Sequence, residues 1–227
     1  PSARRLFRSL ARHMESLGTP WTFVFGNHDD DFHDKGSLLK ALPETDHLLF
    51  KTGPELVDGG VGNFEILVES DDEAFAHLYF LDSKSERSDN GPDALKYDYL
   101  STAQVAWYGT KVDDDTAPSV VFMHMPLQEY GDATDYEGTF GEDKVYWQGK
   151  NTGFFDAMVT HGKSLGVFVG HDHLNDFSFQ KDGILLAYGR ATGYNGYGSL
   201  ERGGRTIRID SEGRLTSSII TGEEVRA

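Results

Sequence analysis

The run GHDHLND at residues 170–176 follows the apolar stretch LGVFV and sets His171 and His173 two positions apart where a buried strand should end. In extended chain, residues i and i+2 point to one side with Cα atoms about 6 to 7 Å apart, so both imidazoles can lean into one space. Two more apolar runs end in the same kind of chemistry: WTFVF in Gly26-Asn27-His28-Asp29 and SVVFM in His124. In sheet-based α/β folds, ligands bind outside the carboxyl ends of strands, so three such ends can pool their side chains. A single histidine is more often a satisfied or exposed residue than a ligand. Three strand ends that agree point to a metal site. The chain has no cysteine, which removes disulfide, thiolate-zinc and iron–sulfur chemistry and leaves histidine, carboxylate and amide as ligands.

The elements that must position these residues follow from periodicity. Leu6, Phe7, Leu10, Ala11, Met14 and Leu17 recur at helical spacing until Gly18, which closes an amphipathic helix. WTFVF, FEILVES, FAHLYFLDS, SVVFMH and LGVFVG read as strands. Residues 101–111 read as a helix capped by Ser101 or Thr102, and TGFFDAMVTHGK as one capped by Asn151. Residues 125–151 carry few periodic apolar positions and read as a long loop, and short strands around ILLAYG, RTIRID and LTSSII close the chain. The order predicts an α/β sandwich of stacked sheets in one domain spanning 1–227.

Composition narrows the partners. The formal charge of −16 opposes nucleic acid or anionic membrane as a surface partner, and an anionic substrate would need bound cations that invert the local field. No apolar run approaches the roughly 20 residues of a membrane helix.

The segments GNHD, FMHMPLQEY, GHDHLNDF and YGRATGYNGYG, with VGNFEILV and LYFLDS between them, resemble the calcineurin-like metallophosphoesterases, and within them the purple acid phosphatase-like branch. The resemblance implies an α/β/β/α sandwich of two stacked mixed sheets. It implies that Asn27, His124 and His171 ligate one metal and His173 its neighbour, and that His28 donates a proton to the leaving oxygen while Asp29 orients it. The cofactor implied is a pair of divalent or trivalent transition-metal ions, iron, zinc or manganese, and these ligand types suit such ions. The activity implied is hydrolysis of phosphate esters, with the branch favouring monoesters over diesters, and a secreted or periplasmic location accords with it.

Two features of the family pattern are not met. Its Asp-x-His and Gly-Asp motifs should precede GNHD, yet only 25 residues stand before Gly26 and none is aspartate. The expectation is a chain lacking its first strand-helix-strand portion. Asp31-Phe32-His33 and Gly131-Asp132 match those motifs in the wrong order and read as chance. The rival to an enzyme is a non-catalytic binding module with a half-built site. Arg190, Tyr194 and Tyr197 either line the substrate cleft or form a turn between strands. Asn175 and Asp176 either support the histidines or simply open the next strand. Oligomeric state is not legible.

Overall fold

The computed structural model describes residues 3–91 and 94–222. Two sheets and the helices α1 (Ala3–Ser16), α2 (Lys35–Leu39), α3 (Thr102–Asp114) and α4 (Phe154–His161) make up its regular part. The larger sheet has six strands: β1 (Phe64–Ser70), β2 (Glu73–Phe80), β3 (Ser119–Phe122), β4 (Ser164–Val169), β5 (Ser178–Lys181) and β6 (Ile184–Tyr188). Their spatial order is β1-β2-β3-β4-β6-β5. β2, β3, β4 and β6 run parallel, and β1 and β5 flank them antiparallel. β7 (Gly203–Ile209) and β8 (Leu215–Thr221) form a separate antiparallel pair, so the smaller sheet is a hairpin.

Alternation along the central strands sorts their side chains to two faces. Tyr79, Val121, Val167 and Leu186 pack with Tyr108 and Val112 of α3 and Phe154, Phe155 and Met158 of α4. On the other face, Val120, Phe168 and Ala187 meet Ile207, Ile209 and Leu215 of the hairpin. This second face also carries a row of phenylalanines that crosses four strands. Phe64, Phe80, Phe122 and Phe168 are register partners in turn, with ring centroids 4.8, 5.0 and 5.6 Å apart and near-parallel planes. Phe50 extends the row through Phe64 to Phe23, which stacks on it at 4.5 Å.

The run WTFVF departs most from the sequence expectation. It is extended but forms only a single parallel bridge, Trp21 to Leu48, with Trp21 N–H donating to His47 O and Leu49 N–H to Trp21 O. It is held instead by rings, Phe23 and Phe25 packing on Phe7 of α1. β5 is a strand the expected set lacked, and α4 starts two residues later than its polar cap suggests: Asn151 Oδ1 accepts from Gly153 N–H, and Gly153 is the residue before the helix. Ser101 caps α3 as expected, in a reciprocal box with Gln104.

Candidate functional site

Asn27 follows the extended run 21–25, His124 lies two residues past β3, and His171 two residues past β4. Their polar atoms meet at one point: Asn27 Oδ1 is 2.9 Å from His124 Nε2 and 3.1 Å from His171 Nδ1, and the two nitrogens are 3.4 Å apart. The His124 ring packs against the backbone of Gly26, where a Cβ would stand 3.1 Å from the ring, a tight contact that glycine avoids. The Gly170 N–H donates to His124 O and ties the two strand ends together. These residues floor a cleft of about 790 Å³ whose walls include Tyr97, Tyr146, Glu142 and Tyr197.

The donor set is one amide oxygen and two imidazole nitrogens, and burial keeps both rings uncharged. It pushes His124 down to about 3, with His171, His173, His28 and Lys35 acting in the same direction. It pushes His171 down to about 4, assisted by His28 and His173. Neutral imidazoles beside a carbonyl oxygen fit a divalent transition metal.

His171 and His173 do not share a side. His171 has φ 75°, and Asp172 N–H donates back to Gly170 O across it, a γ-turn centred on the first histidine. That turn breaks the i, i+2 alternation of extended chain. His173 therefore faces another wall, stacked on Tyr197 at 4.3 Å, with its N–H donating to the Tyr197 hydroxyl. A Cβ on Gly196 would sit 2.6 Å from the His173 ring, so this glycine lets the 194–198 strap close over it.

The acid partner of His28 also differs from expectation. His28 Nδ1 meets Asp31 Oδ2 at 3.0 Å, whereas Asp29 turns back to accept the Gly26 N–H at 2.6 Å. The tight turn after Gly26 aims the Asp29 carboxylate at its own backbone. Burial pushes that carboxyl up, and the Gly26 N–H opposes the shift. Arg190 does not reach the cleft: its guanidinium pairs with buried Asp176 and donates to Glu201 O. Tyr194 is largely exposed and borders a separate groove beside β7, so of the three only Tyr197 lines the cleft. Asn175 and Asp176 bond neither histidine and instead hold the loop around 139–142. Asn175 Oδ1 accepts from Gly141 and Glu142 N–H, and Asp176 Oδ1 accepts from Thr139 N–H. Asp132 pairs with Lys181, away from the histidines.

Three contributors were missed in the sequence. Asp172 lies under the turn, its Oδ2 accepting from Tyr188 OH, Tyr146 N–H and Asn175 Nδ2, and burial pushes its carboxyl up to about 6. Its place between the two histidines was the available signal. Glu142 Oε1 accepts from Tyr197 OH and Leu174 N–H, locking the strap to the 125–151 loop. Tyr97 meets the His171 ring edge-on at 4.6 Å. Nothing local marks it, because ion pairs of Arg87 with Asp58 and Asp98 hold its loop in place.

A family model described as calcineurin-like phosphoesterase matches residues 2–175. The chain is 29% identical over 226 residues to a protein of Arabidopsis thaliana named probable inactive purple acid phosphatase 14, covering 87% of this chain and 55% of that one. It is 28% identical over 219 residues to probable inactive purple acid phosphatase 29 of the same plant, covering 84% and 56%. To phosphatase DCR2 of Saccharomyces cerevisiae it is 31% identical over 207 residues, covering 75% and 33%. The chain thus spans about half the length of the Arabidopsis relatives it matches.

Proposed function

Because the chain belongs to the calcineurin-like phosphoesterase family, whose members imply divalent metal ions, we propose that its cleft is the phosphate-ester site of a metal-dependent phosphomonoesterase. The observation that carries this is the meeting of Asn27 Oδ1, His124 Nε2 and His171 Nδ1 within 3.4 Å of one another at the cleft floor. On this reading these three hold one ion and His173 serves a second. Metal ions bound there supply Lewis acidity toward a phosphoryl oxygen and a water nucleophile. His28 stands at the rim with its side chain 79% exposed, free to meet a leaving oxygen, and Asp31 orients its ring. Its part is to protonate that oxygen as the bond to phosphorus breaks. The acidic surface gives phosphate no general attraction, so the substrate is drawn by the cations alone.

A second reading, that of a binding module without turnover, is favoured by the stacking of His173 on Tyr197, which leaves its buried Nδ1 without a partner. It is favoured also by the word inactive in the names of the Arabidopsis relatives. A diesterase of the same superfamily differs from the first reading only in substrate. Elemental analysis beside hydrolysis of an alkyl phosphate, a nitrophenyl phosphate and a bis-nitrophenyl phosphate diester separates these. His124→Ala is expected to lose the metal. His28→Ala should keep it and lose about 10² to 10⁴ in alkyl phosphate turnover, and much less with nitrophenyl phosphate, which needs little protonation. Metal bound with no ester turned over leaves the module reading standing. Metal retained by His124→Ala defeats the site.

A further inference from the structure

A second set of ligand atoms lies at the other end of the sheet. Glu65 of β1, His77 of β2 and Asp115 just past α3 bring one side-chain atom each within 4.8 Å of one another. His77 pairs with Ser119, the first residue of β3, whereas the cleft begins beyond the last. Five residues of extended chain, about 16 Å, separate Ser119 from His124. The cluster is thus spatially independent of the cleft.

His77 is buried, with Nδ1 2.5 Å from Glu65 Oε1 and 3.2 Å from Asp115 Oδ1. The outer oxygen of each carboxylate is already engaged. Tyr79 OH donates to Asp115 Oδ2 at 2.7 Å, and Lys111 Nζ stands 3.8 Å from Glu65 Oε2. The inner oxygens are thereby turned toward the imidazole. A single N–H can satisfy only one of them. Lys163, the next cation at hand, spends its ammonium group on the carbonyls of Val112, Asp113 and Asp115. The far ring nitrogen, His77 Nε2, is buried and has no partner, so a second proton on the ring would be left without an acceptor. The imidazole thus faces two carboxylates, and Glu65 is the most exposed of the three.

We propose that Glu65, His77 and Asp115 form a binding site for a divalent transition cation of the zinc type, which ties the edge strand β1 to β2 and to the end of α3. One imidazole and two carboxylates with a fourth position toward solvent are a ligand set such ions accept. Tyr79 is the group that holds a ligating carboxylate in place, as outer partners of metal ligands do. Ligation through Nδ1 moves the ring proton to the unpartnered Nε2, which costs on the order of 10- to 100-fold in affinity. The site is accordingly weaker than a four-ligand structural one.

Zinc calorimetry on the double variant His124→Ala/His171→Ala, which lacks the cleft ligands, tests it. One equivalent of Zn²⁺ should still bind. Adding His77→Ala or Glu65→Gln should weaken binding by roughly 100-fold or more, and adding Tyr79→Phe by about 10-fold. Because His77→Ala removes a buried side chain and could unfold the chain, the unaltered protein supplies a further measurement. Its His77 ring signals should shift by NMR as Zn²⁺ is added. No zinc uptake by the double variant, uptake indifferent to Glu65→Gln, or His77 signals that stay put while zinc binds would each overturn the proposal.

Discussion

At His171 the backbone sits where a side chain is unwelcome, at φ 75°, because the γ-turn is what points its Nδ1 at Asn27 rather than along the strand. Such a conformation costs on the order of 1 kcal/mol or more for a residue with a Cβ and little for glycine. His171→Gly and His171→Ala both remove the ligand atom, yet the glycine variant should be the more stable by about 0.5 to 1 kcal/mol in urea unfolding. Equal stabilities would mean the turn is not kept once the imidazole is gone. The same position shows what single residues could and could not disclose. That 27, 124 and 171 would converge was legible, since each stands just past an apolar run. The pairing of His28 with Asp31 rather than Asp29, and the separation of His173 from His171, depended on turns whose dihedral angles no residue type dictates.

Among the elements, α3 depends most plainly on its first turn. Ser101 accepts from Gln104 N–H while the Gln104 side chain accepts from Ser101 N–H, so two otherwise unmet donors are satisfied inside a buried environment. Ser101→Ala should therefore cost about 1 kcal/mol by denaturant titration. A neutral result would show that water replaces the hydroxyl. Gln104 also donates to Asn63 Oδ1 and Asp82 O, so Gln104→Ala should cost more than Ser101→Ala. Helices and the long apolar strands were legible because their periods are set by the chain itself. β5 was overlooked although a signal existed: Asp182-Gly183, both at positive φ, is the two-residue turn that folds SFQK back onto β6. The run 21–25 failed for the opposite reason. Its apolar character was genuine, but strand pairing needs a neighbour, and its neighbours here are mostly rings.

The whole molecule carries its buried histidines as an acid liability. His124 and His171 have folded pKa values of about 3 and about 4, below the ordinary 6.5, so unfolding takes up protons once the pH falls below about 6.5. The sign follows: the two histidines contribute nothing above that point and each lowers stability by about 1.4 kcal/mol per pH unit as pH drops toward 4, while Asp172, whose carboxyl is raised to about 6, offsets the slope of one of them below that pH. Urea midpoints measured between pH 8 and 4 should show this decline, and His124→Ala should flatten it. Neutral histidines are also what a metal requires, so added zinc should oppose the decline at pH 6. The phenylalanine row bears on the molecule as a whole too. Phe80→Ala at its centre should cost about 3 kcal/mol or more, because it opens a gap flanked by two stacked rings.

That row has a kinetic meaning as well. β2, β3 and β4 are parallel and joined through long connections containing α3 and α4, so no tight turn sets how one strand aligns with the next. Contacts of such large sequence separation form late and slowly. A slip of one residue would send Phe122 or Phe168 to the face of α3 and α4 and bring Val121 or Val167 beneath the hairpin. Only one alignment stacks all four rings. The row therefore acts as a checksum on strand alignment: a misaligned crossover finds no partner for its ring.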